Sequence, residues 1–580
     1  MKEFGQCVNM NTSVLIGVAA VWVLVGRATS NAAGDNTHYF DGVHVTVPEG
    51  AGPVLNNIPG IVARQVGWRC GAQAVSGAST PFTLELAVEP GIGKEGFKIA
   101  DGPNGSIRIV GNDERGVLYG VGKFLRGSRY ERGFAPSAWR GVSVPEKPLR
   151  GIYFATHFYN YYQTAPVEEE ERYVEELALW GVNSVLVWYD MHHFKGFDDP
   201  EAAAFRGRLK RILQAAHRCG LGVGLMVIGN EAYADSPKEL RADPGAQRGG
   251  FYDVAICPNK PGGLDYTLKI LGELFDWAID AQPEYVCIWP YDQGGCGCDQ
   301  CRPWGANGFL KCAESISGLA HRKLPGVRII LSTWMFDTNE WHGLKKAFSP
   351  KPAWVDMILA ESAGFAQEGI PGMPTIGFPE ISMEGEFPWG GFGANPQPRR
   401  FETAWNAVKD KEAGGCPYSE GIFEDINKVV WAQLYWNSAT PVADTLKEYI
   451  AYEYSPAVVE EGQKVIGILE QNHHYRWWPG ELAGVKLQYD WFPSRGVKPQ
   501  ADPGAVEAYA TVKRMEESLA PWARNSWRWR VLYLRALLDS DLKTNGGKPT
   551  PACEQAFREL IKIYGLTDKA DPVVRPPLAP

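Results

Sequence analysis

The chain has 580 residues, 45% of them hydrophobic and 22% charged, with 58 Lys+Arg against 67 Asp+Glu for a formal charge of −9. That length is too great for one compact core and predicts two to four domains. The ordinary composition excludes a low-complexity chain, and an acidic surface without a basic stripe argues against a nucleic-acid partner.

Lys2, the 12-residue apolar run 14–25 (VLIGVAAVWVLV) and the small-x-small triplet Ala28-Thr29-Ser30 read as an export signal over 1–33. The run suits a signal core and is short for a bilayer span. The expectation is an exported protein, periplasmic or extracellular, with no stable membrane span after signal cleavage; an uncleaved anchor is the alternative.

Residues 36–145 form a first unit, an N-terminal α/β sandwich. Segments 43–47 (VHVTV) and 82–88 (FTLELAV) alternate as strands do. Segments 96–99 and 106–110 (SIRIV) form a hairpin across the turn signals Asp101-Gly102 and Asn104-Gly105. Residues 112–126 follow as an amphipathic helix, with apolar side chains at 117, 118, 121, 124 and 125.

Residues 146–438 alternate short apolar runs with helical stretches. The runs are 151–156, 182–189, 222–228, 285–290, 326–332, 355–360, 374–378 and 415–418, with helices at 167–180, 204–219, 264–281, 307–323 and 400–411 among the intervals. Eight such units predict a closed (β/α)8 (TIM) barrel. The rival is a doubly wound open sheet, but no glycine-rich phosphate loop follows the first run. Residues 439–580 are helical by pattern, with candidates at 444–453, 456–473, 504–520 and 525–540, and a proline-rich tail read as disordered.

In a parallel barrel, function lies where the strands end. The residues just past the runs are His157; Asp190, His192 and His193; Asn230 and Glu231; Asp292 and Gln293; Trp334 and Asp337; Glu361; Glu380 and Glu384; and Glu420, Glu424 and Asp425. Carboxyl groups dominate this set. Cleaving a glycosidic bond takes two of them, one to protonate the leaving oxygen and one to act as nucleophile or to activate water. Acids crowded in one cleft also raise one another's pKa values. Asp292, in Trp-Pro-Tyr-Asp-Gln-Gly-Gly (289–295), is the best acid, and Glu361 and Glu380 are its partners across the mouth. Each acid taken singly has a plainer reading as a helix cap, Asp292 included. His157, Asp190, His192, Glu231, Gln293, Trp334 and Glu420 are expected to bind substrate. Trp188, Trp289, Trp334 and Trp389 are candidate platforms for sugar rings, or barrel packing. His157, His192, His193, Lys195 and Arg302 permit an acidic sugar without demanding one.

The run Asp113-Glu114-Arg115-Gly116-Val117-Leu118-Tyr119-Gly120 resembles the arginine-glycine and tyrosine-glycine signature that closes the N-terminal domain of bacterial β-hexosaminidases and α-glucuronidases. The resemblance implies an α/β domain followed by a (β/α)8 barrel, with a helical C-terminal domain as in α-glucuronidases. It implies an acid after the fourth strand and general-base carboxylates after the sixth and seventh, by position Asp292, Glu361 and Glu380. The α-glucuronidase acid is normally a glutamate, and hexosaminidases carry Asp-Glu where this chain has Asp292-Gln293; that departure argues against the standard hexosaminidase mechanism. The barrel is also similar to that of bacterial glycosidase-like proteins with a cysteine-rich loop after strand four, among them endo-acting N-acetylglucosaminidases. The implied enzyme is α-glucuronidase-like, N-acetylhexosaminidase-like or sialidase-like, acting on a glycan with an acidic or N-acetylated sugar. The alternatives are a non-catalytic carbohydrate-binding protein and a polysaccharide lyase.

Eleven cysteines are few for a disulfide scaffold of this length. Cys287 lies within a strand and is expected to be simply buried. Cys296, Cys298 and Cys301, with Cys257 from after the third strand, are read as a structural zinc site, as disulfides or as free thiols. No cofactor is required, and no catalytic metal is expected at His192-His193, because neighbours on a strand point apart.

Overall fold

The structure, a computed structural model, describes residues 38–70, 82–130, 133–157, 160–244, 253–290, 295–382, 393–472, 503–546 and 550–565, together with the backbone of short strands at 21–24, 475–478, 481–482, 485–486 and 490–493. The N-terminal sheet comprises β1 (Val21–Leu24), β2 (Gly42–Thr46), β3 (Phe82–Val88), β4 (Phe97–Asp101), β5 (Ile107–Gly111) and β6 (Gly141–Ser143), in the order β1-β2-β3-β5-β4-β6. The expected hairpin is present as antiparallel β4–β5, while β2, β3 and β5 run parallel. Two helices cover the sheet, Pro53–Cys70 and Glu114–Arg126. The first is absent from the sequence reading because Pro59 lies inside it, where proline ordinarily breaks a helix.

The Asp113–Gly120 signature is the seam between this domain and the next. Asp113 caps the helix by accepting from the Gly116 amide at 2.9 Å. Arg115 reaches Glu95 at 3.1 Å, and Arg150 meets the other oxygen of Glu95 at 2.7 Å. The Tyr119 hydroxyl donates to the Val182 carbonyl at 3.3 Å. At Gly116 a Cβ would lie 2.3 Å from the Gly96 carbonyl oxygen, and at Gly122 it would lie 2.1 Å from that of Leu179. Only glycine lets this helix lie against the sheet on one side and a barrel helix on the other.

The barrel strands are β7 (Leu149–Phe154), β8 (Ser184–Trp188), β9 (Gly222–Ile228), β10 (Tyr285–Trp289), β11 (Arg328–Ser332), β12 (Met357–Ala360), β13 (Thr375–Gly377) and β14 (Glu412–Gly415), the last resumed as β15 (Tyr418–Ser419). Each pairs in parallel with the next, and both β14 and β15 pair with β7, so the sheet closes. Strands buried on both faces read as unbroken apolar runs, and the first seven runs of the sequence overlie β7 to β13, while the eighth, 415–418, spans the break between β14 and β15 because the strand starts earlier, at Glu412. Their side chains alternate. Leu186, Met226, Cys287, Ile330 and Leu359 fill the interior, while Val185, Val187, Val223, Val286 and Ile329 pack outward on the helices. Cys287 is buried inside the barrel, as its place within a strand implied.

Behind the barrel stand the helices Val442–Glu453, Val459–Gln471, Pro503–Ser518, Trp527–Thr544 and Pro551–Ile563. The last of these was not foreseen; Cys553, Ala556, Phe557 and Leu560 bury its inner face. The tail beyond residue 565 lies outside the described residues. Arg528 joins the helices to the barrel, binding Asp425 at 2.8 Å and Glu176 at 2.6 Å while Tyr173 and Tyr449 also donate to Asp425. Among the described residues no helix is long and apolar enough to cross a membrane.

Candidate active site

The C-terminal ends of the strands make the mouth of the barrel, and its floor is aromatic. The Tyr153 ring lies 5.7 Å from each of Trp289, Phe378 and Tyr418; Trp289 meets Phe378 at 4.9 Å and Trp334 at 5.8 Å. The sequence reading singled out Trp289 and Trp334 and missed Tyr153, Phe378 and Tyr418. Their signal was the two-residue alternation within each run, which points them inward with Trp289. Trp334 is only partly buried, whereas Trp188 and Trp289 are almost fully buried.

One arc of the mouth, above β7, β8 and β9, is built from paired charges. Asp190, His192 and His193 leave β8 on a single 3-10 turn, Met191–His193, rather than on a strand. The two imidazoles therefore do not diverge as adjacent strand residues would: His192 Nδ1 lies 2.5 Å and His193 Nδ1 3.0 Å from the two oxygens of Asp190. Glu231, past the end of β9, meets the same His192 nitrogen at 3.0 Å and accepts from Trp188 Nε1 at 3.1 Å. Burial opposes the charge on His192, but Asp190 and Glu231 outweigh it and raise the imidazole to about 9. Burial likewise opposes ionisation of Asp190, yet the neighbouring histidines hold its carboxyl well below the usual carboxylate range. Glu231 is moved upward, chiefly by burial. His157, 5.0 Å from the Trp188 ring, is pushed down to about 3 by burial and stays neutral.

The opposite arc, above β12, β13 and β15, holds Glu361, Glu380 and Glu420. Glu361 is half-buried, its amide donating to Thr333 Oγ1 at 3.0 Å, and burial raises its carboxyl. Glu380 accepts from the Ser382 amide at 2.7 Å, and its backbone bridges to Tyr418. Glu420 is fully buried. It accepts from the Tyr418 hydroxyl at 2.6 Å through one oxygen, and the other has no hydrogen-bond partner. Burial first, and Glu380 second, push the Glu420 carboxyl well above its ordinary value. Tyr418 spans toward the other arc, its hydroxyl 3.4 Å from His157 Nε2.

Several strand-end residues serve the scaffold instead. Asp337 caps the helix Thr338–Ala347 in a reciprocal capping box with Glu340. Glu424 gathers four donors onto one oxygen (Ser382 and Ser419 hydroxyls, Glu420 and Gly421 amides) at 2.7–2.9 Å, which fixes the turn carrying Glu420. Asp425 belongs to the Arg528 network. Asn230 is fully buried and binds Gly295 through both its amide groups, at 3.0 and 3.1 Å, and Ile256 at 3.0 Å. It thereby ties the segment after β10 to the segment after β9. Asp292, Gln293, Glu384 and Trp389 lie outside the described residues. The structure thus assembles His157, Asp190, His192, Glu231, Trp334, Glu361, Glu380 and Glu420 about one mouth.

Cys257, Cys296, Cys298 and Cys301 converge beside this mouth, with all four sulfurs within 4.8 Å of one another. Among the described residues no cysteine is in a disulfide.

No protein-family model matches the sequence, and no curated protein matches it. Solved structures resemble it in fold. A family 115 4-O-methyl-α-glucuronidase with specificity for decorated arabinogalactans has a TM-score of 0.59 at 10% identity, covering 90% of this chain and 75% of that one. A family 89 glycoside hydrolase from Clostridium perfringens, in complex with GlcNAc-α-1,4-galactose, has a TM-score of 0.54 at 14% identity, covering 79% of this chain and 58% of that one. A family 138 enzyme targeting pectin rhamnogalacturonan II has a TM-score of 0.50 at 12% identity, covering 90% and 72%. Identities this low establish a shared fold, and on that ground the chain is built on the (β/α)8-barrel architecture of these glycoside hydrolases.

Proposed function

We propose that this protein is a glycoside hydrolase whose chemistry lies on the Glu361–Glu380–Glu420 arc. The observation that carries this reading is the upward displacement of Glu361 by burial, and of Glu420 by burial and by Glu380, at the ends of strands that enclose an aromatic floor. Hydrolysis of a glycoside needs one carboxyl protonated near neutral pH and one ionised. Glu361, half-buried and raised, supplies the proton to the leaving oxygen. Glu380, held by the Ser382 amide, is the carboxylate that attacks or activates water. Glu420 is buried, with its carboxyl raised by burial and by Glu380, and Trp334 stacks on the sugar. Among the strand-end acids of the sequence, Asp292 is the alternative donor.

The substrate we infer is a neutral or N-acetylated sugar. A uronate or sialate carboxylate calls for a cationic partner. Among the described residues, His192 is already committed to Asp190 and Glu231 and His193 to Asp190, His157 is neutral, and Lys195 and Arg302 are exposed. The likeness to hydrolases of N-acetylated and uronic glycans supports the general reaction and leaves this choice to the mouth's own charges.

The test is turnover on a panel of aryl glycosides, neutral, N-acetylated and uronic, with the wild type and with Glu361→Gln, Glu380→Gln and Asp292→Asn. Hydrolysis of a neutral or N-acetylated member, lost in both glutamate variants, supports the assignment. Loss in Asp292→Asn with retention in Glu361→Gln moves the donor to Asp292. Binding without turnover in the wild type, or an ultraviolet-absorbing unsaturated product from a uronate polymer, overturns the hydrolase reading.

A further inference from the structure

We propose that Cys257, Cys296, Cys298 and Cys301 bind one structural zinc ion, which locks the segment following β9 to the loop following β10. Four thiolates around zinc at about 2.3 Å stand roughly 3.8 Å apart at the corners of a tetrahedron. Here Cys257 Sγ lies 3.9 Å from both Cys298 Sγ and Cys301 Sγ, and the four sulfurs share one volume no wider than 4.8 Å. Two disulfides would instead divide them into pairs at about 2.0 Å. Three of the four are buried and Cys298 is partly exposed, which leaves an entry path on one side.

The surrounding backbone is shaped for thiolates. The Asp243 amide donates to Cys296 Sγ at 3.4 Å, and Asn259 Nδ2 donates to Cys301 Sγ at 3.2 Å. The Cys301 and Arg302 amides both turn back onto the Cys298 carbonyl, at 3.0 and 3.2 Å, so Cys298 and Cys301 sit on one tight knuckle. Between Cys296 and Cys298, a Cβ at Gly297 would lie 2.0 Å from the Pro244 carbonyl oxygen, so the C-G-C step closes only with glycine. Such donors to sulfur orient ligands in the way outer partners orient ligands at metal sites generally. The consequence is mechanical. Asn230 holds Gly295 and Cys296 comes next in the chain, so zinc and Asn230 together tie adjacent residues after β10 to the segment after β9.

The experiment uses the full chain, purified under reducing conditions and offered equimolar zinc, then freed of unbound metal. Elemental analysis is expected to find one zinc per chain, and X-ray absorption at the zinc edge four sulfur neighbours at about 2.3 Å. Zinc release to a chromogenic chelator is expected only after the thiols are blocked with a mercurial. Cys298→Ser is expected to lower retained zinc at least tenfold, while Cys553→Ser, at a buried cysteine in the C-terminal helices, keeps one equivalent. If Cys298→Ser does not fold, the wild-type measurements decide alone. Less than a tenth of an equivalent of zinc in folded wild type, oxygen or nitrogen ligands in the absorption spectrum, or a disulfide among the four cysteines on non-reducing peptide mapping would overturn the proposal.

Discussion

The two arcs of the barrel mouth carry similar side chains and differ in what neutralises them. On the β8–β9 arc, Asp190 and Glu231 share the His192 imidazolium at 2.5 and 3.0 Å. On the β12–β15 arc, Glu361 and Glu420 are raised by burial, and no described lysine or arginine figures among the causes. Asp190, with both histidines at hydrogen-bond distance, is held ionised, while Glu231 shares the His192 imidazole and is still moved upward by burial. A buried acid without a cation holds its proton. The first arrangement suits orientation and sugar hydroxyls, the second proton transfer.

The largest expected effect separates the arcs by turnover. Glu380→Gln and Glu361→Gln are each expected to lower kcat by about 10²–10⁴, the usual contribution of a positioned acid or base, with the melting temperature little changed. Glu231→Gln is expected to cost stability more than chemistry. The distinction between the arcs fails if Glu231→Gln proves as inactive as Glu380→Gln while melting like the wild type. Kinetics and calorimetry on the three variants decide it.

Next in size is His192→Gln, which leaves Asp190 and Glu231 buried without their cation. Breaking a buried pair in this way costs about 3–5 kcal/mol. In the wild type the imidazole is raised from 6.5 to about 9. Its stabilisation is therefore fully present below pH 6.5 and is lost as pH rises through 9. Denaturant unfolding at a series of pH values should show the gap between wild type and His192→Gln closing over that interval. A constant gap would mean that His192 is neutral in the fold.

Glu412 sharpens the contrast from outside the mouth. It opens β14, at the other end of the barrel from Glu420, and burial raises it from 4.5 to about 8. Its proton stabilises the fold fully below pH 4.5, and that contribution is lost as pH rises through 8. Glu412→Gln should flatten the fall in melting temperature across this range and leave turnover unchanged. Loss of turnover would show that a raised acid anywhere in the barrel matters, and would remove the special standing of the β12–β15 arc.

The smallest effect is expected at Trp334, the partly exposed ring of the floor. Trp334→Ala should raise KM about tenfold, equivalent to roughly 1.4 kcal/mol of lost stacking, with kcat within about twofold. An unchanged KM would assign the ring to packing against Trp289 and Phe378.

Much of the fold was legible because each barrel strand is covered on both faces and shows as an apolar run. The helix Pro53–Cys70 was not, since it carries an internal proline and its burial comes from the sheet beneath it. Among the site acids, position after a run identified Glu361, Glu380 and Glu420 without distinguishing them from Asp337, which sits in the same kind of place and caps a helix. Capping and catalysis draw on the same residue type at the same chain position. His192 and His193 misled for a related reason: adjacent residues diverge on a strand and converge on a 3-10 turn, and the turn begins where the periodic signal stops.

The sequence by itself determined the barrel, the order of its strands and the inward alternation of their side chains, because these follow from local periodicity. Only the tertiary structure decided how burial and partners set each acid, and that four cysteines spread over 45 positions, 257 to 301, meet at one point. Burial and charge pairing depend on side chains brought together from distant parts of the chain, and neither distance nor dielectric is written in local pattern.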